Sequence, residues 1–522
     1  MQSSYTFDLD GETIRVAGEP VFTTLADYLD RQGYGRERRF AQAESALGGA
    51  PLLLLDVDPQ GRPALRSVDA SLLLLPTVAG RRFWSAEGLA LAAQRGRSHP
   101  ALDLLNAQPD VATSWKARAQ VITALIEAWH RPEWSRPGQI TDHFDGCLSR
   151  SIHYGGLRDL AQSILPAPRR AAPVEPFASA LSGVWPDSEE FSYVDSGKRR
   201  FYRPHTLVDL TRLLSQFPKA LLIGGSAGLA HGRSSADLAA ANCLIATDGV
   251  PDLRTVFEEN DRWLVGSAVT LTGLGERLGD ACPLLAKVIR RLGTRPHRNR
   301  ATLGGCLASA RLDDPLAPSI IALDAVVRVV SHDGERDIPV SRFFEGQGRT
   351  NLRPGEVIAH LVLPKFTRES LASRGGGVLR LCDTYLASPR RTDAPATLSA
   401  AFAVELDVNT RITQAILAYA GIGDRPLRAR EAEKALIGRF WSEETIIGIL
   451  GRVSQEIEGA ASTTGGAPAP TDREKEYRRQ LIITLLQKFF YQHATPGRPA
   501  APLGVVGDYL APKRLPPAAA QP

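Results

Sequence analysis

Two glycine pairs offer the chemistry most readily read from this chain. The first ends an apolar run, Leu221-Leu222-Ile223-Gly224-Gly225-Ser226-Ala227-Gly228, and the second, Thr302-Leu303-Gly304-Gly305, lies about 80 residues further on. Each reads as a tight turn. Glycine lets a phosphate or a flat ring edge approach bare backbone N–H groups, and such donors need no particular side chain. A single Gly-Gly turn is commonplace. Two of them, each behind an apolar or basic lead-in, suit the two sides of one dinucleotide.

Other chemistry finds little support. No Ser/His/Asp arrangement and no metal-ligand spacing is present, and His99, His153 and His297 stand isolated as structural histidines. The five cysteines (Cys147, Cys243, Cys282, Cys306, Cys382) are far apart with no Cys-x-x-Cys pair. That spacing excludes a cysteine-only iron–sulfur or zinc site of the usual local kind, and the thiols read as small buried hydrophobes.

The elements that must hold the glycine pairs follow from periodicity. Thr206 to Leu214 reads as a threonine-capped helix and Leu221 to Ile223 as a buried strand. Trp263 to Leu271 reads as a strand and turn, with further strands over Ala322–Val330 and Val357–Leu363. An alternating segment from Ala396 to Val408 opens a last α+β unit. It continues through ITQAILAYAGIG and ends in an amphipathic helix from Tyr477 to about Tyr491.

Upstream, residues 5–15 form a hairpin about Asp10-Gly11, and Thr23 to Leu29 a helix. Leu52–Leu55 and Leu72–Leu75 are apolar runs of strand length. Residues 94–130 hold two helices split near Pro109, with Val121, Ile122, Leu125 and Ile126 on one face. A Pro/Ala/Ser-rich stretch within 165–198 reads as a linker, and 495–522 as a Pro/Ala-rich tail.

A chain of 522 residues, 43% hydrophobic and 23% charged, has material for several cores. A net charge of +5 is too small and too dispersed to argue for nucleic acid. No apolar run approaches the roughly 18–20 residues of a membrane span. Met1 leads into alternating polar residues rather than a signal segment, so the expectation is a cytoplasmic protein with no membrane partner.

The glycine motifs, with the residues around them, resemble the flavin domain of molybdenum hydroxylases, the xanthine dehydrogenase and carbon monoxide dehydrogenase group. The matching residues are Gly224, Gly225 and Ser226, then Arg298, Asn299, Ala301, Thr302, Leu303, Gly304 and Gly305. The match continues through Leu323-Asp324-Ala325, Phe343-Phe344, Pro354 to Ile358 and Leu363-Pro364, and on to Ala418–Gly421 and Arg428-Ala429. The resemblance implies FAD held by Ile223, Gly224, Gly225, Ser226, Ala227, Gly228, Thr302, Gly304 and Gly305. Asp314, Leu352 and Tyr385 are implied as further contacts, with no metal. It also implies a separate molybdopterin-binding large subunit, hence a hetero-oligomer.

Departures from the family pattern are Cys306 for an asparagine, Pro315 for an aspartate and Ala227 for an acidic residue. A lysine of the family falls at Leu386, beside Tyr385. The family carries two 2Fe-2S domains upstream, and their eight cysteine positions fall here at Ala43, Gly48, Pro51, Ser71, Thr113, Lys116, Ser149 and Ser151. None is a thiol, so no 2Fe-2S cluster is expected.

The expected fold class is multidomain α+β. It comprises a degenerate β-grasp ferredoxin-like domain (1–90), a degenerate helical bundle domain (91–164) and a linker (165–198). A two-part α+β FAD-binding domain of the vanillyl-alcohol-oxidase type (199–370), a C-terminal α+β domain (371–494) and the tail (495–522) complete it. The expected function is an FAD-binding electron-transfer subunit of a xanthine dehydrogenase-like complex with its clusters lost. The alternatives are a cofactor-poor scaffold for a molybdopterin-containing partner and a stand-alone flavin oxidase.

Overall fold

A computed structural model describes residues 1–34, 49–58, 60–131, 143–147, 151–163, 177–183, 190–228, 241–366, 379–389, 395–461 and 471–494. The tail expected over 495–522 lies outside the described residues, as do Ala43, Gly48 and Ser149.

The chain starts with the hairpin Ser4–Leu9 and Glu12–Ala17, in register from Ser4↔Ala17 to Leu9↔Glu12. Asp10 (φ 57°) and Gly11 (φ 88°) both take the left-handed conformation that a two-residue hairpin turn requires. The helix Leu25–Arg31 follows, with the Thr24 hydroxyl accepting from the Asp27 N–H. Strands Pro51–Val57, Pro63–Asp69 and Arg82–Ser85 complete a five-stranded sheet.

Leu72–Leu75 is not a strand. Asp69 caps a short 3₁₀ turn at Ala70–Leu72, and a second turn over Leu75–Val78 carries Pro76 near its start. Proline has no N–H for a ladder, and Leu73, Leu74 and Leu75 are buried as irregular backbone beside the first helix. Arg82–Ser85 is instead the central strand, between Ser4–Leu9 and Pro51–Val57, and Pro63–Asp69 forms an edge.

The next segment is helical: Ala86–Gln94, Pro100–Asn106 and Trp115–Trp129, with a break at Pro109–Val111. Val121, Ile122, Leu125 and Ile126 are all buried in one cluster. Part of the expected linker is ordered. Phe177 is fully buried against Trp84, His99 and His130, and the alternation in Phe191–Val194 forms a strand.

Two sheets follow. In the first, Phe191–Val194, Arg200–Arg203, Cys243–Ala246 and Leu221–Ile223 lie side by side in that order, the last three parallel. The second is antiparallel throughout: Val256–Glu258, Arg262–Gly266, Val357–Pro364, Val326–Ser331 and Gly334–Pro339. The run Ile320–Ala325 is mostly the end of a helix, Leu316–Ala322, rather than the start of a strand.

The last sheet runs Leu379–Ala387, Leu398–Leu406, Ile412–Ala420 and Leu427–Arg428. Every residue of Leu398–Leu406 is buried, because its two faces enter different cores. Ala401 and Ala403 face the helix Leu316–Ala322, while Phe402 and Val404 pack toward the long helices Glu443–Ala461 and Asp472–Gln492. Alanine on the first face lets the sheet approach the preceding domain closely.

The regions meet along an apolar seam and an ionic one. Tyr5, Phe7, Leu54 and Phe83 of the N-terminal sheet share one apolar cluster with Phe191, Tyr193, Phe201, Ile223 and Leu244. Beside it lies a buried ionic cluster. Glu127, with no exposed side-chain surface, accepts from Arg295 Nη2 (2.9 Å), the Ser67 N–H (2.9 Å) and Asn299 Nδ2 (3.1 Å). Glu276 accepts from Arg66 through two bonds of 2.9 Å and also pairs with Arg131 and Arg295. These side chains come from the N-terminal sheet, the helical region and the flavin-type region.

Candidate functional site

The strand Leu221–Ile223 delivers the first glycine loop, and the second follows a basic turn at Arg295–Arg298. Thr302 caps the helix Leu303–Ser309, its hydroxyl accepting from the Gly305 N–H, so Thr302-Leu303-Gly304-Gly305 is the first turn of a helix rather than an isolated turn.

The two loops lie in direct contact. A Cβ on Gly225 would sit 1.4 Å from the Arg300 carbonyl oxygen, and one on Gly224 would sit 2.3 Å from the Thr302 hydroxyl. A Cβ on Gly304 would lie 2.7 Å from that of Ser267. These three glycines therefore serve close backbone packing, whatever else approaches them. The loops present one continuous surface, not two separated jaws.

Their donors differ. In the second loop, Leu303 N–H donates to the Val269 carbonyl (2.9 Å) and Gly304 N–H to that of Ser267 (2.7 Å). The Gly305 N–H is occupied by the Thr302 cap. In the first loop, no acceptor among the described residues meets the N–H groups from Gly224 to Gly228. Ser226 adopts φ 66°, which turns successive N–H groups toward a common side as in an anion-binding nest. Its hydroxyl is buried and has no partner among the described residues. A buried hydroxyl without a partner is costly, and a ligand oxygen would remove that cost. The first loop thus offers open donors of the kind an oxyanion takes; the second contributes shape and Gly305, whose outer side is open to solvent.

The remaining candidates are scattered. Ala227 is buried in the apolar core, so no acidic side chain is available there. Asp314 accepts from the Leu316 N–H (2.8 Å), and burial lifts its carboxyl to about 6. It neighbours Cys306, whose thiol burial pushes above its ordinary range. Leu352 packs half-buried against the core of the same domain. Tyr385 is not brought to the loops. On its strand Thr384 bonds Ser319 of the preceding domain (2.9 Å), so Tyr385 points the other way, into the C-terminal core, and donates to Gln492.

Sequence reading missed a polar cavity of about 60 Å³ behind the loop contact, lined among others by Asp56, Arg81, Gly224, Asp248, Arg254 and Arg300. Its arginines come from segments more than 200 residues apart, and no local signal marks them. Among the described residues no group of three His, Cys, Asp or Glu side chains forms a metal site, and no helix is long and apolar enough to cross a membrane.

A glycine loop with open donors, laid against a capped helix at the junction of two sheets, is the framework of a dinucleotide-binding α+β domain. Residues 194–366 match the family described as the FAD binding domain in molybdopterin dehydrogenase, and residues 383–493 match the CO dehydrogenase flavoprotein C-terminal domain. The chain belongs to the FAD-binding flavoprotein subunits of the molybdenum hydroxylase family.

Aldehyde oxidase 4 of Cavia porcellus is 23% identical over 93% of this chain and 39% of its own length. Xanthine dehydrogenase of Emericella nidulans is 28% identical over 56% of this chain and 21% of its own. The chain thus spans well under half the length of these relatives. Among solved structures, a chain of quinoline 2-oxidoreductase from Pseudomonas putida 86 aligns with a TM-score of 0.47 and 22% identity. That alignment covers 56% of this chain and 95% of that one.

Proposed function

We propose that this chain is the FAD-binding electron-transfer subunit of a xanthine dehydrogenase-like complex, working beside a molybdopterin-binding large subunit that oxidises the substrate. When bound, FAD supplies the redox chemistry. The chain's own part is to hold the pyrophosphate on the N–H groups of Gly224 to Gly228 and on Ser226 Oγ. Thr302 and Gly305 border the same surface, and Leu352 packs beside the ring. The unpartnered buried hydroxyl of Ser226 is the observation that carries this reading.

The decisive experiment is thermal unfolding of the purified chain with and without FAD. At roughly 100 times its dissociation constant the ligand should add about 2.7 kcal/mol of stability. Ser226→Ala should leave the ligand-free chain at least as stable as the parent, because its buried hydroxyl meets no partner among the described residues. It should weaken FAD roughly tenfold or more, the scale of one charge-assisted hydrogen bond. No shift with FAD would decide for the scaffold reading, which draws on the internally bonded donors of the second loop.

The same reading holds the N-terminal regions to be degenerate ferredoxin-like and helical cluster domains without iron. At the described positions the donors do not suit a cluster. Pro51 lies in a strand, Ser71 Oγ donates to Asp69 (2.7 Å), and Thr113 Oγ donates to the Ser151 carbonyl (3.2 Å). Thr113 and Ser151, two of the aligned ligand positions, are neighbours in space, which supports the alignment itself. Iron and acid-labile sulfide should be far below stoichiometric. A 2Fe-2S paramagnetic signal at one per chain after reduction would overturn this part of the reading.

A further inference from the structure

Asn299 sits where three regions of the chain meet. It closes the basic turn Arg295–Arg298 and is 1% exposed. Its Nδ2 donates to the Ser67 carbonyl (2.7 Å) and to Glu127 Oε2 (3.1 Å), so both acceptors belong to the N-terminal regions. Its Oδ1 accepts from the Thr272 hydroxyl (2.7 Å) of the flavin domain. Glu127 in turn accepts from the Ser67 N–H at 2.9 Å. One amide and one carboxylate thus grip both backbone polar groups of Ser67 across the seam.

The next residue carries this position to the first glycine loop. The Arg300 carbonyl lies so close to Gly225 that any side chain there would overlap it. The path of the loop beyond Gly225, including Ser226 at φ 66°, therefore depends on where the Arg300 carbonyl is held. After Arg300 the chain is anchored from within the flavin domain: Leu271 N–H donates to the Ala301 carbonyl (2.8 Å) and Leu303 N–H to that of Val269 (2.9 Å). Ahead of Arg300, two of the three residues that bond the Asn299 side chain lie across the seam. A buried amide is costly to strand, so opening the seam releases Asn299 from this position.

We propose that Asn299 is a positioning residue that ties FAD binding at the first glycine loop to closure of the N-terminal regions on the flavin domain. The proposal rests on the flavin reading and adds the regulation of that site. With the seam closed, the Arg300 carbonyl is fixed and forms a wall for Gly225. With the seam open, the loop loses that wall, and the N–H groups of Gly224 to Gly228 no longer share one direction. Such coupling is reciprocal: the factor by which a closed seam tightens FAD is the factor by which FAD favours the closed seam. Anything that holds the N-terminal regions closed therefore tightens FAD without touching it.

The test is hydrogen exchange of the full chain with and without saturating FAD, beside FAD titration of the parent and Asn299→Ala. In the parent, FAD should slow exchange at Gly224–Gly228 and also at Pro63–Asp69, the strand that carries Ser67. The slowing at Pro63–Asp69 should exceed that at Leu398–Leu406, a fully buried strand that reports overall unfolding. Asn299→Ala should weaken FAD roughly tenfold, within the usual range of such coupling. At saturating FAD it should keep the protection of the first loop and lose the excess at Pro63–Asp69, which a general loss of stability would not do. Protection no greater at Pro63–Asp69 than at Leu398–Leu406 in the parent would overturn the proposal. So would parent-like FAD affinity in folded Asn299→Ala. The parent's exchange pattern decides alone if that variant folds poorly. The parent's FAD thermal shift is measured first: a shift without excess protection at the seam fails the coupling and leaves the flavin reading intact, whereas no shift fails both.

Discussion

Glu127→Gln is expected to cost about 3–5 kcal/mol, the loss typical of removing one partner from a buried charge pair. The substitution keeps the shape but leaves Arg66, Arg131 and Arg295 sharing Glu276 alone. Ser67 N–H and Asn299 Nδ2 then donate to a weaker neutral acceptor. Limited proteolysis should cut first between the N-terminal regions and the flavin domain, since this cluster spans that seam. A double variant that also carries Arg295→Met should recover part of the loss, because it removes one of the charges left over. A single-variant loss under about 1 kcal/mol would mean that water, not protein, balances these charges.

Acid should loosen the same half of the molecule. His99 and His130 meet Nε2 to Nε2 at 3.1 Å beside Phe177, and His143 Nε2 donates to the Ala124 carbonyl. Burial lowers His99 to about 3, with the His130 neighbour second, and lowers His130 and His143 to about 4. In the unfolded chain each imidazole takes a proton near 6.5. Between pH 6.5 and about 4 the unfolded state therefore binds more protons, and stability falls as pH falls.

Each histidine contributes about 2 kcal/mol of loss between pH 7 and 5. Asp314 acts in the opposite direction, since its folded carboxyl takes up a proton near 6, and it offsets about 1 kcal/mol. Denaturant unfolding at pH 7 and 5 should thus differ by roughly 3–5 kcal/mol. His130→Gln should reduce the slope by about one proton. Equal stability at both pH values would refute the assignment.

What the sequence disclosed was mostly local. Asp10-Gly11 announces its hairpin because two left-handed residues are needed at once, and Thr24 and Thr206 announce helix starts through their own hydroxyls; Thr302, read as part of a turn, caps a helix as well. The glycine motifs were legible as a family pattern, although the reason for most of the glycines was not. Gly225 is required by the Arg300 carbonyl, which belongs to a segment about 75 residues away. Leu72–Leu75 misled because an apolar run reports burial and not ladder pairing. Tyr385 misled because a one-residue step along a strand reverses the face. The arginine cavity carries no periodicity at all.

The apolar cluster that joins the N-terminal sheet to the flavin domain has a consequence during synthesis. The sheet's last strand ends at Ser85, but its covering residues Phe191, Tyr193, Phe201, Leu244 and Ala246 emerge only about 110–160 residues later. At about 5–20 residues per second, the nascent sheet waits some 5–30 s with an uncovered apolar face. That interval is long beside the microsecond to second folding of small domains. Over that interval the aromatic face later covered by Phe191, Tyr193 and Phe201 stays open to solvent.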